Sequence, residues 1–313
     1  MLSYEKVKDH PTRFRACTSL DVEEFEQLLP HFERAWDAFV KETFIKGKER
    51  QREYGGGRKA TLAKVEDKLF FILFYFKTYP LQEVMGLLFG LSQSQVNVWV
   101  HRLSKVLRMA LGTAQHLPER EPADLEAVLA ECEALEFMID GTERRIQRPT
   151  DPQDQNKYYS GKKKAHTCKN NVIVDAPTKK VEYLSGTYEG KKHDKKICDE
   201  GGYAFPANSF LHKDKGFQGY EPEGVITFQP RKRPRGQELS LADRFLNRTM
   251  NSVRITVEHI ISGIKRCRIV KEIFCNTKAG FDDLVMEIAC GLHNLRTDCR
   301  QPQLDGELAQ FFP

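Results

Sequence analysis

No stretch of this 313-residue chain approaches the roughly 18–20 consecutive apolar residues needed to span a bilayer; its longest apolar run is Leu69–Phe76. The opening Met1-Leu-Ser-Tyr-Glu-Lys lacks the basic-then-apolar layout of a signal peptide. The eight cysteines, at 17, 132, 168, 198, 267, 275, 290 and 299, contain no C-x-x-C pair. Zinc knuckles and dithiol redox chemistry therefore have little support, and scattered thiols suit a reducing cytosol. Internal repeats and long low-complexity tracts are also missing. What is present suffices for a core: 40% hydrophobic and 30% charged residues, with 20 Phe and 10 Tyr. That composition excludes a fully disordered or collagen-like chain, and the length accommodates two domains. A soluble intracellular protein is expected.

The net charge of +5 is modest, but it is clustered. Residues 156–171 hold Lys157, Lys162, Lys163, Lys164 and Lys169 with His166 and no acid. Arg231, Lys232, Arg233 and Arg235 form a second cluster, and Lys191, Lys192, Lys195 and Lys196 surround Asp194. One such cluster would ordinarily be a solvated loop. Three, two of them with Tyr or Phe nearby, favour a surface for phosphates and a polyanionic partner.

Along the chain, Phe25, Leu28, Leu29, Phe32, Trp36 and Phe39 recur at helical spacing in Val22–Phe39. Tyr54-Gly55-Gly56-Gly57 is a candidate linker, and Thr61–Lys77 reads as a buried helix. Pro80 can start a helix over Leu81–Phe89 with Leu81, Val84, Met85 and Leu88 on its inner face. Gly90 ends it, and Ser92 or Ser94 can cap a following helix to about Leu107, with Val96, Trp99, Val100 and Leu103 inward. Gln93, Gln95, Asn97, His101 and Arg102 then face outward, which fits a helix-turn-helix whose second helix reads bases. An ordinary helical hairpin has the same spacing. From Leu135 the pattern changes to strands: Leu135–Asp140 with Thr142–Gln147 as its hairpin partner, then Thr167–Val174, Lys180–Thr187, Phe210–Asp214 and Val225–Gln229. Leu239–Val270 and Phe281–Arg296 return to helix. The expected division is an N-terminal helical region 1–57, a helix-turn-helix domain 58–118, an α/β domain 119–300 and a tail 301–313.

Four acids stand out. Asp140 and Asp214 each close an apolar strand, Glu258 lies among Val253, Val257, Ile260, Ile261 and Ile264 on a helix, and Asp194 precedes another helix. Taken singly, each has a structural explanation as a turn residue, a cap or, for Glu258, a partner for Arg254 at i,i+4. Taken together, carboxylates delivered by neighbouring strands and a helix repel one another unless a cation sits between them. Hard oxygen ligands of that kind suit magnesium and the two-metal hydrolysis of phosphodiesters.

The order Ile139-Asp140-Gly141-Thr142, Lys213-Asp214-Lys215-Gly216-Phe217, Arg254-x-x-x-Glu258 and Lys265 resembles the DDE transposases of bacterial insertion sequences, in the branch related to Harbinger-type elements. Asn247, the stretch Tyr159–His166 and Gly190–Asp194 resemble that branch too, so the likeness covers roughly residues 60–300. Asn251 stands where many relatives have Tyr, and Phe217 where Tyr is frequent. The resemblance implies an RNase H-like catalytic domain, a mixed sheet flanked by helices, behind an all-α helix-turn-helix domain. It implies Asp140, Asp214 and Glu258 as catalytic residues and ligands of two Mg²⁺ ions, with Mn²⁺ as substitute. Asp194 is the rival second ligand. Lys162, Lys163, Lys164, Arg231, Arg233, Arg254 and Lys265 would contact double-stranded DNA of transposon ends and target. A homodimer or larger homo-oligomer, cytoplasmic and nucleoid-associated in a prokaryotic cell, is the expected state. A domesticated DNA-binding relic and a nuclease without strand transfer are the alternatives.

Overall fold

Apolar residues at three- and four-residue spacing give the first third of the molecule its shape. A computed structural model describes residues 1–47, 60–231, 238 and 240–300, without the side chains of 243, 245, 246, 249, 251 and 252. The Tyr54–Gly57 linker, Lys232, Arg233, Arg235, the 301–313 tail and the Asn251 side chain lie outside the described residues. Helices α1 (Pro11–Thr18) and α2 (Val22–Val40) pack on α3 (Val65–Thr78) and α5 (Gln93–Thr113), with α4 (Gln82–Phe89) between the last two in sequence. Helix α3 is buried from Lys68 through Phe76, as its unbroken apolar run requires. Gly90 ends α4 in the left-handed region (φ +68°), where a side chain would be strained. Ser92 then caps α5 in a reciprocal box: the Gln95 N–H donates to Ser92 Oγ (3.3 Å) and the Ser92 N–H donates to Gln95 Oε1 (2.9 Å).

The inner face of α4 differs from the sequence expectation. Met85 and Phe89 are buried, while Leu81 and Leu87 are 76% and 81% exposed and Val84 and Leu88 also face out. The Phe89 ring decides the rotation, because it fills a nest of Phe70, Phe71 and Phe74 with centroids 6.1, 5.0 and 5.5 Å away.

After α6 (Leu125–Ala130) comes β1 (Glu136–Arg145), one continuous strand. The expected hairpin within it does not form. Gly141 stays extended, and β1 pairs antiparallel along its length with β3 (Ala165–Asp175), which follows α7 (Pro152–Tyr158) and β2 (Tyr159–Ser160). Next come β4 (Val181–Leu184), β5 (Tyr188–Glu189), α8 (Asp194–Gly201), β6 (Phe210–Lys213) and β7 (Ile226–Phe228). The mixed sheet runs β2-β3-β1-β6-β7, with β1, β6 and β7 mutually parallel and β4 and β5 on the outer edge of β3. Helices α9 (Leu241–Ile264) and α10 (Phe281–Arg300) are the last two α-helices among the described residues.

Strand β1 is covered on both faces, which is why it reads as an unbroken apolar run. Met138 joins the large core shared by α1–α5, α9 and α10, whereas Phe137 and Ile139 join a second core with α6, α8 and Leu211. Helix α10 ties the helical region to the sheet. Glu287 takes the Arg108 guanidinium of α5 (Nε–Oε2 2.8 Å), and the Asn294 amide both donates to Val181 O and accepts from Val181 N–H. The fold is thus a helical N-terminal region followed by an RNase H-like mixed sheet flanked by helices.

Candidate active site

Sheet register brings the first two acids together. Strands β1 and β6 run parallel with Ile139 opposite Lys213, so Asp140, still within β1, and Asp214, the first residue past β6, follow paired residues on adjacent strands. Neighbouring strands lie about 4.8 Å apart, which makes the two carboxylates neighbours by construction. Asp140 accepts the Gly141 N–H at Oδ1 (2.7 Å). Burial pushes its carboxyl up to about 6, with Asp214 and Asp194 adding to the rise and Lys162 opposing it.

Helix α9 forms the opposite wall. Met250, Val253, Val257 and Ile261 line an open cleft of about 300 Å³ that also includes Asp140, Asp214, Arg254 and Glu258. Glu258 is exposed and receives the Arg254 Nε–H at 3.0 Å, the i,i+4 pair that spacing allows. Lys162 and Lys163, on the Gly161–Lys164 turn between β2 and β3, complete the rim. Lys164 is exposed beside them but does not line the cleft. Lys265 lies just past the end of α9, where burial lowers its ammonium pKa, helped by Lys163 and opposed by Asp140.

Asp194 begins α8 and sits behind Asp140. Its Oδ1 pairs with Lys169 Nζ at 3.2 Å, and a Cβ placed on Gly141 would lie 2.9 Å from its Cγ and Oδ1. Only a residue without a side chain lets this carboxylate approach so closely. Gly216 is similarly placed, with its Cβ position 3.2 Å from Asp194 Oδ2.

The residues fit a divalent cation. Asp140, crowded by two further carboxylates, gains from a cation that neutralises them, and magnesium uses one or two protein carboxylates together with substrate phosphates. Among the described residues no three acidic, imidazole or thiolate groups converge closely enough to hold one ion. Glu258 instead stands across the cleft on Arg254.

The remaining sequence candidates divide by position. Gln93 and Gln95 at the start of α5 are exposed, although Gln95 is engaged in the cap. Gln82 Oε1 receives the Gln93 amide at 2.7 Å and the Asn97 amide at 3.4 Å. His101 packs edge-on against Phe281 of α10 (4.6 Å), and the Arg102 guanidinium lies 5.0 Å over the Phe44 ring, so both face protein. Arg231 is held by the backbone through both amide atoms of Asn247 (2.8 and 3.1 Å). Three lysines of the third basic cluster are neutralised locally, Lys192 and Lys196 by Glu200 and Lys195 by Asp199 at 2.5 Å, while Lys191 donates to the neutral Asn156 Oδ1 at 2.8 Å.

Sequence reasoning overlooked two residues on β6. His212 lines the cleft, stacked on Phe228 (5.2 Å), with Nε2 2.7 Å from Glu136 Oε1. Lys213 is buried and anchors the following loop by donating to Tyr220 O and to Glu221 Oε1 (2.6 Å). The signal for Lys213 was a lysine in a strand with apolar residues before it.

Residues 139–294 match the family model described as DDE superfamily endonuclease, and residues 61–113 match the helix-turn-helix of DDE superfamily endonuclease. The chain is 25% identical over 281 residues, 88% of its own length and 98% of the relative's, to a probable transposase for insertion sequence element IS702 from Microchaete diplosiphon. It is 26% identical over 234 residues, 74% and 80% of the two lengths, to a putative transposase for insertion sequence element IS112 from Streptomyces albus G. No solved structure matches. Among the described residues no helix is long and apolar enough to cross a membrane. The two family models follow one another in the order in which the fold places helices and sheet: the chain carries a DDE superfamily endonuclease domain with that superfamily's helix-turn-helix in front.

Proposed function

We propose that this endonuclease is the transposase of an insertion sequence, in the branch related to Harbinger-type elements. It binds the terminal inverted repeats of its element as a homodimer or larger homo-oligomer on the chromosomal DNA. Residues 58–118 form the DNA-reading domain and 119–300 the catalytic domain, with 1–57 and 301–313 as flanking regions. Asp140, Asp214 and Glu258 are the catalytic acids, and the observation that carries this is the Ile139–Lys213 register, which sets Asp140 beside Asp214 and across the cleft from Glu258.

Two Mg²⁺ ions, or Mn²⁺ in their place, supply an activated water and charge neutralisation at the leaving oxygen when bound. The Asp140 and Asp214 carboxylate oxygens would hold them from the sheet side, and Glu258, once released from Arg254, would hold them from α9. Lys162 and Lys163 bind the phosphates flanking the scissile bond, and the freed Arg254 guanidinium takes another. The apolar wall of Met250, Val253, Val257 and Ile261 limits water around the reacting phosphate. Water attacks phosphorus in line and the P–O3′ bond breaks, leaving a 3′-hydroxyl and a 5′-phosphate. That hydroxyl then attacks a target phosphodiester, where the new P–O3′ bond forms as the target strand's own P–O3′ bond breaks and releases its 3′-hydroxyl, without a covalent protein intermediate. Exposed Gln93 and Gln95 and neighbouring Asn97 at the start of α5 are placed to read bases.

The test is a plasmid bearing the DNA that flanks the gene, incubated with protein and Mg²⁺, Mn²⁺ or EDTA, with the DNA ends then sequenced. Metal-dependent cuts at inverted repeats and joined strand-transfer products are expected, both lost with Glu258→Gln. Cleavage that persists in Glu258→Gln would remove that acid from the catalytic set. Cuts without joined products would make the protein a nuclease.

A further inference from the structure

The cations behind α9 are arranged differently from those that face the cleft. His259, Gly263 and Arg266 follow the flank away from the cleft, and with the turn between β3 and β4 and helix α10 they enclose a groove of about 530 Å³. A second groove of about 480 Å³, reached by Arg15 and Lys77, adjoins it and shares Arg266 and Arg300 with it. Asp21 is the one acid lining either groove among the described residues, and it is engaged with Arg15 (2.5 Å) and Arg300 (3.4 Å). Glu24 takes Arg300 as well, at 2.6 Å. Lys77, Arg266 and Arg296 have no carboxylate partner among the described residues. Arg296 is only 3% exposed, and its guanidinium donates to Ser19 Oγ at 3.0 Å and Gly263 O at 2.9 Å, with the Cys267 thiol as a further side-chain partner. Glu24 acts on Arg296 from a distance but is bound to Arg300, so the buried cation has no carboxylate of its own; that is costly, and an anion delivered from outside relieves it. The neighbours register the same excess: burial lowers the Lys77 pKa, and Arg296, Arg266 and Arg268 lower it further.

We propose that this paired groove is a second DNA-binding site, which takes backbone phosphates of duplex DNA between Lys77 and Arg266 with Arg296 behind them. The cations come from three separated parts of the chain, α3, the end of α9 and α10, and line two adjoining grooves, which suits a repeating polyanion better than a single small one. It lies along the seam between the N-terminal helices and the catalytic fold, away from the scissile phosphate. DNA held there is held independently of the cleft. The inference rests on the DNA-binding reading and extends it to a surface with no part in the chemistry.

The experiment measures binding of a fluorescent duplex in EDTA at several salt concentrations, so that cleavage plays no part. Arg266→Gln, Lys77→Gln and their combination are compared with wild type and with Lys162→Gln/Lys163→Gln as a cleft control; thermal melting checks each fold. The exposed Arg266→Gln alone should shrink the slope of log K against log salt by about 1, and the double variant by about 2, equally for any sequence. Those losses should add to the cleft pair's. Wild-type binding with an unchanged slope in both Arg266→Gln and the double variant overturns the second site and leaves the catalytic proposal standing. Failure of wild type to bind duplex overturns both. Inorganic phosphate that raises the melting temperature of wild type but not of Arg266→Gln, with DNA slopes unchanged, would make the groove a small-anion site and overturn the proposal.

Discussion

The two walls of the catalytic cleft are built differently. On the sheet side, Asp140 and Asp214 follow paired residues of adjacent parallel strands, and β1 is buried on both faces while β6 is anchored by buried Leu211 and Lys213, so neither carboxylate can move far without breaking the sheet. On the helix side, Glu258 is exposed and held by one salt bridge to Arg254. Exposed i,i+4 pairs contribute only about 0.3–0.5 kcal/mol, so this acid can be redirected at little cost. The sheet wall is preorganised, whereas the proposed mechanism has the helix wall exchange partners with DNA phosphate and cation.

That contrast can be broken most decisively through activity and metal together. Asp140→Asn, Asp214→Asn and Glu258→Gln should each lower cleavage by at least about 10²–10³-fold, while leaving DNA affinity nearly unchanged. Without DNA, stabilisation by Mg²⁺ in thermal melting should vanish in the two Asp variants and survive in Glu258→Gln. If Glu258→Gln loses it too, the helix wall is as preorganised as the sheet wall.

A stability effect of opposite sign comes next. The folded-state pKa of Asp140, about 6, lies above its ordinary 3.8, so the folded protein keeps a proton that the unfolded chain has lost. Stability from this group is therefore complete below pH 3.8 and is lost as pH rises through about 6. In EDTA at pH 7, Asp140→Asn should be more stable than wild type by about 1–3 kcal/mol in urea titration. The gain should disappear near pH 4.

Gly141→Ala probes the support behind the sheet wall. Its Cβ meets the Asp194 carboxylate at 2.9 Å, and over-packing of this kind costs about 1–3 kcal/mol. Loss of cleavage together with a lower midpoint is expected, and a more stable, fully active variant would show that Asp194 yields freely. The smallest change belongs to the helix wall: Arg254→Gln should alter stability by no more than about 0.5 kcal/mol. It should nevertheless weaken cleavage at limiting DNA concentration, which steady-state kinetics would detect as a raised KM.

Much of this was legible in residue patterns. Apolar spacing located α2, α3 and α5, and Gly90 and Ser92 marked the turn between helices because their chemistry is local. The apolar run before Asp140 and the short strand before Asp214 were equally plain. The supposed hairpin at Gly141 failed because a glycine suits a turn and a close approach equally well, and only the neighbouring Asp194 distinguishes them. The face of α4 was misjudged because spacing cannot say which of two apolar rows is inward. The aromatic nest around Phe89 decides that. Likewise His101 and Arg102 lie on the α5 surface, but Phe281 and Phe44, far away in sequence, cover them.

By itself the sequence determined most local elements, the order of the acidic motifs and the separate clusters of positive charge, since caps, periodicity and side-chain chemistry act over a few residues. Tertiary structure alone decided which acids become neighbours, which lysines are neutralised, and where buried Arg296 comes to lie beside exposed Arg266 with no carboxylate bound to either among the described residues. Strand register and helix packing join positions that local forces never compare, and electrostatic energy depends on those distances.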